Sequence, residues 1–253
     1  MRDIAAAAEP AFTEDRLLGG RVRLRQPAAG YRTAIDPVFL AAAVPVEPDQ
    51  VVLDVGCGAG AAMLCLAARV PHCRIVGLEM QRDLVRLAGD NAILNGMEAR
   101  VSVMIGDLLR PPPRLSPGAF DHVMANPPYN ERGRTVAAAL PNKTDSTVHG
   151  DADLAAWVRF VLAMVRPKGT VTFIHRADRI DVLMAEIAGR AGEVVVYPLW
   201  AGEDRAASRV LVRARKHIAA PARLARGLVL HLSDGRLTHA AESILREGKG
   251  LDL

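Results

Sequence analysis

Short apolar runs alternate along most of the chain with longer stretches in which apolar residues recur every three or four positions. The short runs predict buried strands, and the longer stretches predict amphipathic helices. Strands separated by helices pair in parallel, so the pattern predicts a doubly wound, mostly parallel α/β sheet. The seven expected strands are 51–55, 75–79, 101–105, 120–125, 170–175, 193–197 and 209–213. A charged loop joins the last two strands in place of a helix, so the seventh strand is expected to be antiparallel.

The first part of the chain lacks this alternation and is interpreted separately. Residues 1–15 are interpreted as a frayed or loosely docked arm. The run Val22-Arg-Leu-Arg25 alternates apolar with basic residues and predicts a short strand with one basic face. Asp36-Pro37 is typical of a helix start, with Asp36 as the N-cap and Pro37 at the first helical position.

Beyond the seventh strand the pattern predicts only short elements. A strand is expected at 228–232, a turn at Asp234-Gly235 and a short helix after Thr238. We therefore expect an N-terminal extension at 1–48, a core domain at 49–216 and a small C-terminal strand-turn-helix appendage at 217–253.

Composition restricts the class of protein. Hydrophobic residues make up 50% and charged residues 24% of the 253 residues, which is ordinary for a soluble globular protein. The net charge of +4 permits an anionic partner without requiring one. No apolar stretch approaches the roughly twenty residues that span a bilayer, and the first residues lack the apolar segment of a signal peptide. We therefore expect no membrane association and a cytoplasmic location.

The cysteines indicate neither disulfides nor a metal site. Cys57, Cys65 and Cys73 are odd in number and contain no Cys-x-x-Cys pair. They are interpreted as small buried thiols in a reducing compartment, and no metal is expected.

A glycine-rich segment, Asp54-Val-Gly-Cys-Gly-Ala-Gly60, lies between an expected strand and an expected helix. A turn of this kind lets a ligand approach the backbone. The acid Asp54 followed by Gly56, Gly58 and Gly60 resembles the cofactor loop of Rossmann-like class I methyltransferases. The resemblance implies that fold for the core domain and S-adenosyl-L-methionine as the cofactor.

Acids at two further strand ends extend the expected cofactor site. Glu79 ends the second strand, roughly twenty residues beyond the loop, where an acid accepts hydrogen bonds from both ribose hydroxyls. Asp107 follows the third strand, and the resemblance implies that it accepts a hydrogen bond from the adenine amino group. Met80 and Leu108, which follow these two acids, are assigned to the same site. Solvated strand-end acids are the alternative, but ligands of open sheets bind at the carboxyl ends of strands, which favours the cofactor site.

The strand expected at 120–125 ends in Asn126-Pro127-Pro128-Tyr129. Neither proline has an N–H to donate, and each restricts the residue before it to extended geometry, so the turn is rigid. An amide oxygen, a fixed carbonyl and a phenol ring side by side suit a flat group that carries an NH2. A proline-terminated strand with a turn tyrosine is the alternative that these four residues leave open.

Asn-Pro-Pro-Tyr resembles the motif of methyltransferases that act on planar amino groups, namely adenine N6, cytosine N4, guanine N2 and the glutamine amide. The resemblance implies that the Asn126 side-chain oxygen and the Pro127 carbonyl accept the two amino hydrogens, while Tyr129 stacks on the plane. Asn126 is therefore assigned to both the catalytic set and the cofactor set. Aligning a weakly nucleophilic amine in this way stabilises the transition state and needs no catalytic base or metal.

Residues 17–41 resemble the segment that precedes the core in bacterial tRNA(Val) adenine-N6 methyltransferases, which modify the adenosine next to the anticodon. The resemblance implies that Tyr31, Thr33 and Asp36 line the methionine end of the cofactor. For Asp36, a helix N-cap without a ligand is an alternative that can also hold together with this role.

An RNA substrate would meet basic side chains of the N-terminal strand and of the 130–150 loop, and a further basic group follows at Arg213, Arg215 and Lys216. The main expected contacts are Arg21, Arg23, Arg25, Arg132, Arg134 and Lys143. Such contacts to phosphates contribute affinity without sequence specificity. Basic residues on a strand edge also serve as a solvated face that prevents aggregation, so this alternative stays open.

Three other functions share parts of this pattern. A glutamine-N5 protein methyltransferase of the release-factor type and a guanine-N2 rRNA methyltransferase would both use Asn126 to Tyr129. A non-catalytic RNA-binding module would need only the basic surface. We expect neither the target-recognition region of a DNA methyltransferase nor a helical domain ahead of the glycine loop, which favours an RNA base as the acceptor. The resemblance of residues 17–41 implies that this base is adenine, methylated at N6, in tRNA.

Overall fold

The computed structural model describes residues 12–28, 35–129 and 151–253, and only the backbone of 151–153. In these ranges the strands are β1 (Phe12–Leu17), β2 (Val22–Pro27), β3 (Val51–Val55), β4 (Arg74–Glu79), β5 (Val101–Ile105), β6 (Phe120–Ala125), β7 (Val165–Arg176), β8 (Ala191–Trp200), β9 (Ala207–Lys216), β10 (Arg223–Leu224) and β11 (Leu228–Val229). The helices are α1 (Asp36–Ala43), α2 (Ala61–Arg69), α3 (Arg82–Leu94), α4 (Asp151–Met164), α5 (Ile180–Ile187) and α6 (His239–Leu245).

The seven predicted strands are β3 to β9, and they form one sheet in the order β5-β4-β3-β6-β7-β9-β8. Neighbours from β5 to β7 pair in parallel, whereas β9 is antiparallel to both β7 and β8. The predicted α/β fold with an antiparallel last strand is confirmed. The chain order reverses between β3 and β6, so their carboxyl ends flank the crevice in which such sheets bind ligands.

The N-terminal arm is partly structured, which corrects one prediction. Residues 12–17 form β1, which pairs with β2 along its whole length, from Leu17 opposite Val22 to Phe12 opposite Pro27. The sequence of β1 is mostly polar and has no apolar alternation that could mark it as a strand. Its strand structure therefore comes from pairing with β2 in a hairpin and not from a pattern of its own.

Helix α1 starts where the sequence predicted, but Asp36 is not its N-cap. Ile35 holds the N-cap position, and no side chain caps the helix. The Asp36 carboxylate is instead turned towards Tyr129 and Arg209, which outcompete the backbone N–H groups of its own helix. All eight residues of α1 are buried, so the helix lies inside the molecule and can position Asp36 firmly.

The C-terminal segment joins the same sheet. β10 and β11 both pair in parallel with β8, and β11 is shorter than the strand predicted at 228–232. The helix predicted after Thr238 is α6, and Thr238 caps it by accepting the Ala241 N–H at 3.2 Å. The division into three parts stays a prediction.

The remaining sequence predictions concern cysteines, membranes and metals. Cys57, Cys65 and Cys73 are all buried and unpaired. Among the residues that the structure describes, no helix combines the length and apolar character needed to cross a membrane. In the same ranges, no group of three His, Cys, Asp or Glu side chains is arranged to hold a metal ion.

Candidate functional site

The glycine loop connects β3 to α2 with three glycines at φ of +68° (Gly56), +55° (Gly58) and +94° (Gly60), a region that side chains rarely adopt. A Cβ on Gly56 would lie 2.4 Å from the Trp157 ring, and one on Gly60 would lie 2.5 Å from Met63 Cε. A Cβ on Gly58 would meet nothing within 4 Å. Gly56 is therefore required by its packing against Trp157 and Gly60 by its positive φ, whereas Gly58 borders open space that a ligand can enter.

Asp54, at the end of β3, is buried and incompletely paired. Its Oδ2 atom has no hydrogen-bond partner in the described parts of the chain. Burial raises the pKa of this carboxyl to about 8; the Met63 backbone N–H opposes the shift and the nearby Glu79 adds to it. The group is therefore mostly protonated at neutral pH and retains an unused polar atom beneath the loop.

Glu79, at the end of β4, is tied to the glycine loop. Its Oε2 accepts the Gly58 N–H at 3.0 Å and its Oε1 accepts the Gln81 N–H at 2.9 Å. An ionised carboxylate has about four acceptor positions, so about two remain for a ligand. The next side chain, Met80, is 56% exposed, which leaves an apolar surface at the sheet edge for a flat ring to cover.

Asp107 follows β5 and stabilises a turn. Its Oδ1 accepts the Leu109 N–H at 2.8 Å, and the backbone of Asp107 pairs with that of Arg110. Leu108 packs against the hydrophobic core, which holds this turn against the sheet. The acid is half-buried at the same edge as Glu79.

Asn126 and Tyr129 contact each other at the end of β6. The Tyr129 hydroxyl lies 2.7 Å from Asn126 Oδ1 and 3.0 Å from Asp36 Oδ2. A phenol has a single proton, so the two oxygens compete for it. Pro127 is buried between these half-buried residues, so its carbonyl has a fixed position.

The Asn126–Tyr129 turn is called the acceptor end, because the sequence predicts that it binds the methyl acceptor. Two side chains outside the predicted set contact Tyr129 there. Arg209 Nε donates to Asp36 Oδ2 at 2.9 Å, and the guanidinium carbon lies 4.7 Å from the centroid of the Tyr129 ring. The His175 ring meets Tyr129 edge-on, with centroids 5.2 Å apart and planes at 85°. Tyr129 is therefore held by its hydroxyl and by contacts of its ring with Arg209 and His175.

The protonation states of these two side chains follow from their surroundings. Burial lowers the pKa of His175 to about 4, so the imidazole is neutral at pH 7. Burial also favours the neutral form of Arg209, but hydrogen bonds and charge interactions with Asp36 and Tyr129 raise its pKa overall. A sequence signal for Arg209 was its charge directly before the apolar run 210–212.

The predicted residues divide into those the structure brings together and those it does not. Asp54, Glu79, Asp107 and Asn126 lie at the carboxyl ends of four neighbouring strands, as predicted. Asp36 contacts the acceptor end through Tyr129. Predicted residues outside the described ranges are Tyr31, Thr33, Arg132, Arg134 and Lys143.

The predicted RNA contacts Arg21, Arg23 and Arg25 lie in the N-terminal hairpin formed by β1 and β2, and each already bonds to another residue of that hairpin segment. Arg23 and Arg25 pair with Glu14 at 2.8 and 3.4 Å, and Arg21 Nε donates to the Leu18 carbonyl. Glu14, which the sequence interpretation overlooked, lies opposite Arg25 in the hairpin and neutralises part of its basic face.

The family described as N-6 DNA methylase matches residues 37–181, which include the glycine loop and Asn126 to Tyr129. The chain belongs to the N-6 DNA methylase family. It is therefore an S-adenosylmethionine-dependent methyltransferase, as the sequence predicted. The unused Asp54 oxygen, the open space at Gly58 and the remaining acceptor positions of Glu79 all fit this cofactor.

Relatives confirm the resemblance to tRNA(Val) adenine-N6 methyltransferases. The chain is 30% identical over 219 residues to tRNA1(Val) (adenine(37)-N6)-methyltransferase from Aeromonas hydrophila, covering 81% of this chain and 84% of that protein. It is 40% identical over 78 residues to release factor glutamine methyltransferase from Geobacter sulfurreducens, covering 31% and 26%. For the Moorella thermoacetica enzyme of that name it is 29% over 167 residues, covering 61% and 56%. The chain thus spans less than two thirds of either release-factor relative.

Solved structures support the fold. A predicted O-methyltransferase from Agrobacterium tumefaciens has a TM-score of 0.72 at 22% identity, covering 85% of this chain and 98% of that chain. A tRNA (m1A58) methyltransferase from Aquifex aeolicus has a TM-score of 0.55 at 15% identity, covering 77% and 73%. At these identities the similarity establishes the class I methyltransferase fold and nothing about the acceptor.

Proposed function

We propose that this protein transfers a methyl group from S-adenosyl-L-methionine to the N6 amino group of an adenine in tRNA, next to the anticodon of tRNA-Val. The observation that carries the proposal is the Asn126-Pro127-Pro128-Tyr129 turn, which borders the same crevice as the glycine loop. The similarity to the Aeromonas hydrophila enzyme along 84% of its length supports tRNA as the substrate. A cytoplasmic location agrees with this substrate and stays a prediction.

The cofactor-binding roles follow from the chemistry of each group. We assign the ribose hydroxyls to Glu79, the adenine amino group to Asp107, and the faces of the adenine ring to Met80 and Leu108. Gly58 leaves space for the ligand, and Asp54 contributes a polar atom beneath the loop. S-adenosylmethionine supplies a methyl group on a positively charged sulfur, so the acceptor nitrogen needs only alignment.

The acceptor-binding roles belong to the turn after β6. Asn126 Oδ1 and the Pro127 carbonyl would accept the two hydrogens of the amino group, and these oxygens would stabilise the positive charge that develops on nitrogen. Asn126 Oδ1 has two lone pairs, so it can accept an amino hydrogen while the Tyr129 hydroxyl also donates to it. Asp36 Oδ2, 3.0 Å from that hydroxyl, offers its proton a second acceptor.

The basic side chains Arg21, Arg23 and Arg25, with Arg132, Arg134 and Lys143 of segment 130–150, are the proposed contacts to RNA phosphates. Because Glu14 already pairs with Arg23 and Arg25, RNA must displace or share these ion pairs. Exposed ion pairs contribute little net stability, so RNA phosphates can displace them at small cost.

The second candidate is glutamine-N5 methylation of a protein, because the release-factor enzymes also match this chain. Those matches cover 26% and 56% of the relatives, against 84% for the tRNA enzyme, which favours adenine. Guanine-N2 methylation of rRNA and a non-catalytic RNA-binding role stay alternatives with no further observation in their favour.

Radiolabelled cofactor distinguishes these functions. The protein is incubated with unmodified tRNA transcripts and separately with release factors, and the products are digested and identified by mass spectrometry. We expect N6-methyladenosine in tRNA-Val; label in protein glutamine or in guanine would exclude the proposal. Asn126→Ala serves as the control, because it should lose turnover by orders of magnitude and still bind cofactor. Equal activity of this variant and the unmodified protein would remove Asn126 from the catalytic set.

A further inference from the structure

Two asparagines of α3 complete the outer edge of β2. Asn91 Oδ1 accepts the Arg25 N–H and Asn91 Nδ2 donates to the Arg25 carbonyl, both at 2.9 Å. Asn95 makes the same two bonds with the backbone of Arg23, at 2.8 and 2.7 Å. Each carboxamide thus pairs with β2 as another strand would, and the hairpin edge is covered by side chains.

The spacing explains why both pairs form. Residues four apart on a helix are separated by about 6 Å along its axis. Residues two apart on a strand are separated by about 6.7 Å, and their backbone N–H and C=O groups point to the same edge of the strand. Asn91 and Asn95 therefore face Arg25 and Arg23 with nearly matched spacing.

Asn91 differs from Asn95 in one contact. Its second Nδ2 hydrogen donates to the carbonyl of Ala59, which lies between Gly58 and Gly60, at 2.9 Å. The corresponding hydrogen of Asn95 goes to the Asn91 carbonyl within α3. Asn91 is 0% exposed, and both Nδ2 hydrogens and Oδ1 are used, so its amide orientation is determined by its partners.

We propose that Asn91 is a positioning residue that sets the conformation of the glycine loop and links cofactor binding to the N-terminal hairpin. A single buried amide joins the loop, α3 and β2, so movement of one element changes the hydrogen bonds of the other two. Because Glu79 Oε2 holds the neighbouring Gly58 N–H, the loop is fixed at two successive residues, from two sides. Coupling is reciprocal, so a displaced hairpin weakens cofactor binding and bound cofactor steadies the hairpin.

Asn91→Ala and the matched control Asn95→Ala separate this role from hairpin packing. Binding of S-adenosylhomocysteine is measured by calorimetry, and folding is checked by thermal unfolding. Both variants lose hairpin bonds, but only Asn91→Ala frees the Ala59 carbonyl. We expect Asn91→Ala to raise the cofactor Kd about ten-fold, the effect of roughly one hydrogen bond. Asn95→Ala should change the Kd by less than about two-fold. An equal change in both variants, or no change in either, would overturn the proposal.

Amide exchange in the unmodified protein tests the same link without a substitution, and it decides the matter if Asn91→Ala fails to fold. The Arg25 and Arg23 N–H groups each bond to an asparagine Oδ1, and only the partner of Arg25 is also bonded to the loop. The Arg25 bond is the more buried, so the comparison uses the change in exchange on cofactor binding at each amide. We expect S-adenosylhomocysteine to slow exchange at Arg25 several-fold more than at Arg23. Equal slowing at both amides would show general stabilisation of α3 and contradict the coupling. Neither experiment uses RNA, so the outcome is independent of the proposed acceptor.

Discussion

Arg209 allows a direct test of how the acceptor end is held together. Arg209→Met keeps the length and apolar bulk of the side chain and removes the charge. It breaks the 2.9 Å ion pair with Asp36 and the cation–π contact with Tyr129. The two side chains are 32% and 11% exposed, so solvent screens the pair only in part.

The magnitude follows from these two contacts. A partly exposed charge-assisted hydrogen bond contributes about 1 kcal/mol, and a cation–π contact adds about 0.5–1 kcal/mol. Their loss should reduce kcat/KM for tRNA roughly ten- to thirty-fold. The cofactor Kd should be unchanged, because Arg209 contacts Asp36 and Tyr129 and has no described contact with the glycine loop.

The assay measures initial methylation rates against tRNA concentration at saturating cofactor, together with cofactor binding by calorimetry. Asp36→Asn tests the same ion pair from the other side. It removes the charge of Asp36 and keeps an oxygen that can accept a hydrogen bond from the Tyr129 hydroxyl. Both variants should show the same pattern, and the double variant should cost less than the sum of the two. A loss of cofactor affinity with unchanged acceptor kinetics would refute the reasoning. That result would instead support the role at the methionine end of the cofactor that the sequence resemblance implied for Asp36.

Three further predictions concern other parts of the site. Tyr129→Ala should abolish most turnover, whereas Tyr129→Phe keeps the stacking ring and should be mild; equal loss in steady-state assays of both would contradict stacking. Gly58→Ala should weaken cofactor binding in calorimetry, because its Cβ enters open ligand space. Gly118→Ala is the control, because Gly118 is also at positive φ with nothing within 4 Å of its Cβ. Both variants should lower the free energy of unfolding by about 1 kcal/mol, and Gly118→Ala should leave cofactor binding intact. Asp54 has its pKa raised to about 8, so its ionisation disfavours the folded state as pH rises from about 4 to about 8. Urea unfolding of Asp54→Asn between pH 5 and pH 8 should therefore lack that loss; an unchanged pH dependence would show that Asp54 does not titrate in this range.

Local patterns could predict the features that depend on neighbouring residues. Apolar runs identified β3 to β9, because a strand buried on both faces needs consecutive apolar side chains. Thr238 indicated the start of α6, because a cap is made within one turn of helix. Gly56, Gly58 and Gly60 marked the cofactor loop, because their positive φ angles restrict the residue type.

Features that depend on distant residues could not be predicted in this way. β1 is polar and became a strand only by pairing with β2. Asp36 had the sequence context of an N-cap, yet Arg209, 173 positions away, and Tyr129 determine its orientation. Asn91 had no pattern of its own, and its partners are 66 and 32 positions away.

The sequence by itself determined the doubly wound α/β fold, the glycine loop and the rigid turn at Asn126 to Tyr129, since each rests on a local pattern of burial, φ angle or missing N–H groups. Its resemblance to known families then implied the methyltransferase class, the cofactor and the amino-group acceptor. Only the tertiary structure decided how Asp36, Arg209 and His175 surround Tyr129, and how Asn91 joins the hairpin to the glycine loop. Hydrogen bonds and ring contacts between elements depend on distances of a few ångströms across the sheet edge. Those distances are determined by the packing of the whole sheet and its helices.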